Sequence, residues 1–298
     1  MKKIFFGLMT LVAFVATSCQ QLTELKVNGG NTATVSFVID SHSRVYSDGL
    51  TATNLQYAIY DETGSILSDL TVTDAVINKS TKVDFKLVTG NTYTAIFWAA
   101  EPNAPYAVDF ANKTMTIDYS AVVSNDEKLD AFYATHTFTV SGTQTETVEL
   151  RRPFAQLNIG TSDYDEAKSA GYEPTKSYVK VSNIYNTLNL WDGTVSGDAA
   201  VEFDYAAIPT TETFPLAGYE YLAMNYLLVD EDETVVVEFA YTETDATAAK
   251  TRTVGSVPVK RNYRTNLYGE LFTSKVDINV IIVPDYYTPS EDIEVPNL

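Results

Sequence analysis

Apolar side chains in this chain recur at every second position, in short runs divided by turn-forming residues, and that period fixes the fold class before any other feature does. Val83, Phe85 and Leu87 alternate with Lys82, Asp84 and Lys86. Val35, Phe37 and Ile39 share one face of another run, and Leu55, Tyr57 and Ile59 one face of a third. Only a strand puts residues i, i+2 and i+4 on the same side, so each run reads as a half-buried β-strand. Asp61 to Gly64 and Gly90-Asn91 supply turns, and further strands are expected over 92–99, 115–119, 137–140 and 145–150. Arg151-Arg152-Pro153 interrupts the pattern, and Ala155, Leu157 and Ile159 restart it. Strands then follow over 178–184, 187–190, 221–229, 234–241, 251–260, 266–273 and 276–283, with Asp192-Gly193 as a turn. One short helix is expected, capped by Ser162 or Asp163 and ended by Gly171. The class is all-β: two tandem β-sandwiches, 32–150 and 151–284, with one short helix in the second. Residues 19–31, holding Asn28-Gly29-Gly30-Asn31, form a flexible tether. The tail 285–298 holds prolines and acids and cannot supply a central strand on its own.

The beginning of the chain carries a different signal. Lys2 and Lys3 precede an apolar run from Ile4 to Ala16, too short to span a bilayer as a helix and of the length of a signal peptide. The run ends in Ala16-Thr17-Ser18-Cys19, small residues leading into a cysteine, which is the pattern of a lipobox. Residues 1–18 are therefore expected to be a lipoprotein signal peptide and Cys19 the lipid-bearing first residue of the mature chain. Cys19 is the single cysteine, so it has no internal disulfide partner. An ordinary secretory signal with an incidental cysteine is the competing explanation.

Twenty basic against 39 acidic side chains give a formal charge of −19, which argues against nucleic acid and against anionic lipid surfaces. The acids are dispersed, as on a solvated exterior surface. Two histidines occur, His42 and His136, and no Cys or His cluster has zinc-ligand spacing. No Gly-rich phosphate loop and no Gly-x-Ser-x-Gly elbow is present. Asp230-Glu231-Asp232-Glu233 lacks the spaced ligands and glycine of a calcium loop and reads as a plain acidic hairpin. No catalytic residue, metal or cofactor is expected, and the chain does not read as an enzyme.

Three segments together carry a resemblance. They are Arg44-Val45-Tyr46-Ser47-Asp48-Gly49 leading into 54–61, Arg151-Arg152-Pro153-Phe154-Ala155-Gln156-Leu157-Asn158, and 259–269 around Lys260-Arg261-Asn262-Tyr263. In these the chain resembles the fimbrillin-like lipoproteins of Gram-negative anaerobes, in a branch known mostly as domains of unknown function. The resemblance implies fimbrillin (transthyretin-like) sandwiches, sorting to the outer membrane through lipid on Cys19, and adhesion as part of a type V pilus. It further implies cleavage by an Arg-specific protease between Arg44 and Val45, loss of a first strand at Thr32 to Asp40, and its replacement by a neighbour's strand. In this chain the donor positions would be Ile293, Val295 and Leu298. Partners would be other pilus subunits and ligands on host or bacterial surfaces. Arg44 also reads as an ordinary solvated arginine, and Pro289 and Pro296 in the tail leave an accessory, tip or anchor role open. The alternative is a monomeric outer-membrane lipoprotein that binds glycan or protein, with Trp98, Trp191, Tyr106, Tyr286 and Tyr287 as candidate sugar platforms. For Trp98, core packing competes with that role.

Overall fold

The alternation of Val83, Phe85 and Leu87 becomes strand β5 (Ser80–Val88), in which those side chains are 4, 0 and 0 % exposed while Lys82 and Lys86 face outward. The computed structural model describes residues 23–24, 31–41, 51–67, 72–76, 80–243, 250–272 and 278–283. Among these, four sheets form. The first runs β1 (Thr23–Glu24), β5, β2 (Thr32–Ser41), β10 (Gln144–Leu150). The second runs β4 (Val72–Val76), β3 (Asn54–Tyr60), β6 (Thr92–Ala100), β9 (Phe132–Thr139). The third runs β14 (Glu220–Leu228), β11 (Phe154–Thr161), β17 (Arg264–Gly269), β18 (Ile278–Val283). The fourth runs β16 (Lys250–Lys260), β15 (Asp232–Thr242), β12 (Lys176–Asn189), β8 (Thr114–Ile117), β7 (Tyr106–Asp109), with β13 (Val195–Ala207) on the other edge of β12. The expected all-β fold of packed sheets with one short helix is what the chain adopts.

Period-two geometry places the second sheet between two cores. Leu55, Tyr57, Ile59, Ala95, Phe97 and Ala99 pack against the first sheet, with Val35, Phe37, Val83 and Phe85 opposite. The intervening residues Ala58, Tyr60, Ile96, Trp98 and Ala100 point the other way, into the core shared with the third and fourth sheets. That is why β6 reads Thr-Tyr-Thr-Ala-Ile-Phe-Trp-Ala-Ala, nearly continuous in apolar residues, and is buried from Tyr93 onward. The covering layer over the second sheet comes from the β7–β8 hairpin. Tyr60 donates its hydroxyl to the Phe110 carbonyl at 2.7 Å, and Tyr106 meets Trp98 edge-on at 5.4 Å. β8 in turn pairs with β12 through Thr187↔Thr116 to Asn189↔Thr114. Residues 106–117 thus precede position 150 in the chain but belong to the sheet built largely from residues after it.

Several elements differ from expectation, each for a physical reason. The two strands expected over 178–184 and 187–190 are one strand, β12, whose register shifts near Asn183 instead of breaking. The helix α1 (Tyr164–Ser169) does start after Asp163, but the Asp163 side chain does not cap it. That carboxylate is buried and accepts from the backbone N–H groups of Leu271 (3.2 Å) and Phe272 (3.0 Å) and from the Thr161 hydroxyl. It ties the helix start to the chain after β17. Gly171, at φ +85°, ends the helix as expected. The acidic stretch 230–233 is not a hairpin. It carries the chain from β14 in the third sheet to β15 in the fourth, and Glu233 accepts from the Tyr185 hydroxyl at 3.2 Å.

Candidate functional site

The first strand of the first sandwich is held like a slat between two neighbours. β2 pairs antiparallel with β5 from Thr32↔Val88 to Asp40↔Ser80, and parallel with β10 from Val35↔Gln144 to Ser41↔Leu150. β5 and β10 are both in the sheet but separated by β2. Its backbone donors and acceptors therefore serve both flanks, and without it both flanks would lack partners.

The side chains of β2 fill a matching socket. Val35 and Phe37 are fully buried. The Phe37 ring lies 5.7 Å from Phe85, 5.3 Å from Phe97 and 5.1 Å from Phe138, edge-on to Phe85 and Phe138. Such contacts add to area burial, which for one phenylalanine is worth about 2–3 kcal/mol. The opposite positions are less demanding, Thr34 and Val38 being half-buried, although Ser36 is buried. The socket therefore selects for apolar side chains two residues apart and tolerates a range of residues between them.

One lateral contact closes the sandwich beside β2. His136 on β9 and Glu146 on β10 meet across the two sheets, with Nε2 to Oε2 at 2.9 Å. Gln144 joins them, donating to Glu146 Oε1 at 2.8 Å and to the Thr139 carbonyl at 3.1 Å. The His136 ring stands edge-on to Phe37, centroids 6.4 Å apart, and stacks on Phe138. Neither His136 nor Glu146 stands out in the sequence as a site. Their i and i+10 separation across the β9–β10 connection is the one signal that places them together, and it is a weak one.

The residues singled out by sequence fall unevenly on this geometry. Cys19, Arg44, Val45, Ile293, Val295 and Leu298 lie outside the described residues, as do His42, Tyr286 and Tyr287. Trp98 is 2 % exposed and belongs to the core, with no face open to a sugar. Tyr106 stacks on Phe154 at 5.5 Å. Trp191 is partly open, with the Lys113 ammonium 4.3 Å from its ring centre and Tyr60 edge-on at 5.2 Å. Among the described residues no group of three or more His, Cys, Asp or Glu side chains could hold a metal, and no helix is long and apolar enough to cross a membrane.

Comparison with known proteins bears on this fold. A model of a family of unknown function, DUF6562, matches residues 23–296. No curated protein matches the chain. Among solved structures, a proposed polysaccharide-binding protein (DUF1812) from Bacteroides thetaiotaomicron superposes with a TM-score of 0.50 at 14% identity, over 83% of this chain and 95% of that one. A proposed cell adhesion protein from Bacteroides eggerthii gives 0.50 at 10% identity, over 85% and 96%. The fimbrial anchor protein Mfa2 from Porphyromonas gingivalis gives 0.46 at 12% identity, over 84% and 96%. At these identities the likeness is one of fold. The family match agrees with the expected branch without known function. None of the three carries an enzyme's name.

Proposed function

The chain belongs to the DUF6562 family, and for this member of it we propose the role of a lipid-anchored surface subunit of a fimbrial adhesion system, assembled by strand exchange. The observation that carries the proposal is the position of β2. It is an internal strand bonded on both sides, its apolar face fills a closed aromatic socket, and it is the first long strand of the described fold. Cleavage between Arg44 and Val45 would sever its covalent link to the rest of the sandwich, a few residues past its end at Ser41. A strand from another subunit could then restore both ladders and the socket, which is β-augmentation. Ile293 and Val295 stand two residues apart in the tail, the spacing of Val35 and Phe37.

The adhesion fold of the Bacteroides eggerthii protein supports the surface role, and the amino-terminal sequence supports anchoring through acylated Cys19 in the outer membrane. Other subunits are then the first partners, with ligands on host or bacterial surfaces next. A second reading, a monomeric glycan-binding lipoprotein, draws on the polysaccharide-binding description of the Bacteroides thetaiotaomicron protein.

Amino-terminal sequencing of the protein taken from cells separates the two. A chain beginning at Val45, and an Arg44→Ala chain that retains residues 19–44, is the expected result. A surface protein that begins at acylated Cys19 under all growth conditions removes strand exchange and leaves the monomeric lipoprotein.

A further inference from the structure

Two of the sequence segments that stand apart from the strand pattern lie about a hundred residues from each other and meet at one place in the fold. Arg151-Arg152 links the first sandwich to β11, and Lys260-Arg261-Asn262-Tyr263 turns the chain from β16 into β17. Together with Tyr133 they line a cleft of about 650 Å³, a size that ligand clefts commonly have. A shallower groove continues from it past Trp191, sharing Tyr133 and Arg151.

The chemistry of this cleft runs against that of the molecule. The chain is strongly acidic overall, yet four cationic side chains line this one cleft. Arg152 is spent internally, its guanidinium paired with Asp130 at 2.6 and 2.8 Å, both groups fully buried. Arg261 is not spent in that way. Its Nε and Nη2 donate to the Val229 carbonyl at 3.2 and 2.9 Å, and Nη1 to the Gly193 carbonyl at 2.7 Å. Carbonyls orient the guanidinium without cancelling its charge, and among the described residues no carboxylate lies within ion-pair distance of it. Gly193 is needed there: at φ +79°, any Cβ would meet the Tyr133 hydroxyl at 3.0 Å and Arg261 Nη1 at 3.4 Å. Lys260 lies over the Tyr263 ring at 5.0 Å and pairs with Asp232 at 3.2 Å. Arg151 is exposed, and its contact with Glu149 is long, 3.9 Å. Glu149 and Glu231 share the cleft but are exposed to water, where their charge is screened.

From this we infer that the cleft is a binding site for a carboxylate-bearing glycan, with Arg261, Arg151 and Lys260 meeting the carboxylates and Tyr133 and Tyr263 lying against the sugar rings. A guanidinium already held in place keeps its full charge and can give its remaining Nη hydrogens to a carboxylate as charge-assisted hydrogen bonds. A peptide strand fits less well, because several backbone groups at the cleft are already paired. Tyr133 and Arg151 bond each other's N–H and C=O at 2.9 and 3.0 Å, Asn262 N–H is taken by Phe154 and Tyr263 N–H by Lys260. The site does not require release of β2, so it stands or falls separately from strand exchange.

The test is titration calorimetry of the full mature chain with hexagalacturonate, its methyl ester and hexaglutamate at low and high ionic strength. The expected result is that hexagalacturonate binds, that raising salt weakens it, and that neither the ester nor the peptide competes. Arg151→Glu and Lys260→Glu, both at accessible positions, should each weaken binding by about tenfold, the loss of one charge-assisted pair, with unchanged thermal melts. Tyr263→Ala should weaken it without altering the salt dependence. No binding of the acidic glycan, equal binding of the ester or of hexaglutamate, or full affinity in both charge-reversed variants would each overturn the assignment.

Discussion

β2 and β11 occupy the same topological position in their two sandwiches. Each is the first long strand of its unit, each has an antiparallel neighbour on one side (β5 and β14), and each has a parallel neighbour on the other (β10 and β17). They differ in how they are locked. Every residue of β11 is buried, whereas among the described side chains of β2 Val35, Ser36 and Phe37 are buried and Thr32 is in solvent. The parallel neighbour of β11 is itself covered by β18, while β10 ends its sheet. β11 also carries polar locks. Asn158 donates to the Asn266 carboxamide oxygen at 2.9 Å with both residues fully buried, and Arg152 pins the residue before Pro153 through Asp130. Buried polar groups cost free energy when unmatched, so they favour one register and resist sliding. The lesson is that one slot in this fold is filled by a strand buried along its whole length and fixed by polar contacts, while its counterpart is held, among its described side chains, by Val35, Phe37 and two ladders.

The strongest way to break the comparison is to remove the lock on β11. Arg152→Ala removes the guanidinium that pairs with buried Asp130 and should cost about 3–5 kcal/mol of stability. The guanidinium also stands 4.5 Å from the Phe132 ring, so a cavity adds to the loss. Urea unfolding followed by the fluorescence of Trp98 and Trp191 reads it. A loss under about 1 kcal/mol would mean that the pair is not what holds β11 in place. For β2 the matching change is Phe37→Ala, expected near the low end of large core truncations, about 3 kcal/mol. It should act on β2 more than on the rest: amide exchange should quicken in β2 and β5 before it does in β11 and β14. Uniform quickening would show that β2 is locked as firmly as its counterpart, and the comparison would fail.

Much of this was legible in the chain, and what was not has a cause. β5 and β10 announce themselves because one face of each is buried and the other wet, and alternation is the direct record of that. β6 is legible as an unbroken apolar run because both of its faces are covered. β13 is not legible. It lies along the outer edge of β12, buries Val201 and Phe203, and carries Ser196, Asp198, Glu202 and Asp204 among its other positions. Gly197 at φ +73° further breaks its pattern. The home of the β7–β8 hairpin could not be read either, because its pairing with β12 depends on residues some seventy positions away. The same holds for the cleft: its two cationic segments are conspicuous in sequence, but only the fold brings them together.

The finest distinction between the two slots concerns the latch beside β2. His136 and Glu146 join β9 to β10 at 2.9 Å, with side chains 31 and 23 % exposed. Half in water, such a pair contributes about 0–1 kcal/mol, so His136→Gln should barely move the midpoint of global unfolding. Its effect should be local. Among the described residues β10 is an edge strand, and this contact, with Gln144 beside it, adds to the buried Val148 and Leu150 in tying it to the facing sheet. Loosening it lets β10 swing from β2 and opens the parallel ladder from Val35↔Gln144 onward. Amide exchange in β2 and β10 should therefore quicken while β11 and β17, which have no such dependence, stay unchanged. A variant in which β2 keeps full protection would place the hold on β2 with β5 and the Phe37 socket alone, and the proposed exchange would then have to break the stronger side of β2 first.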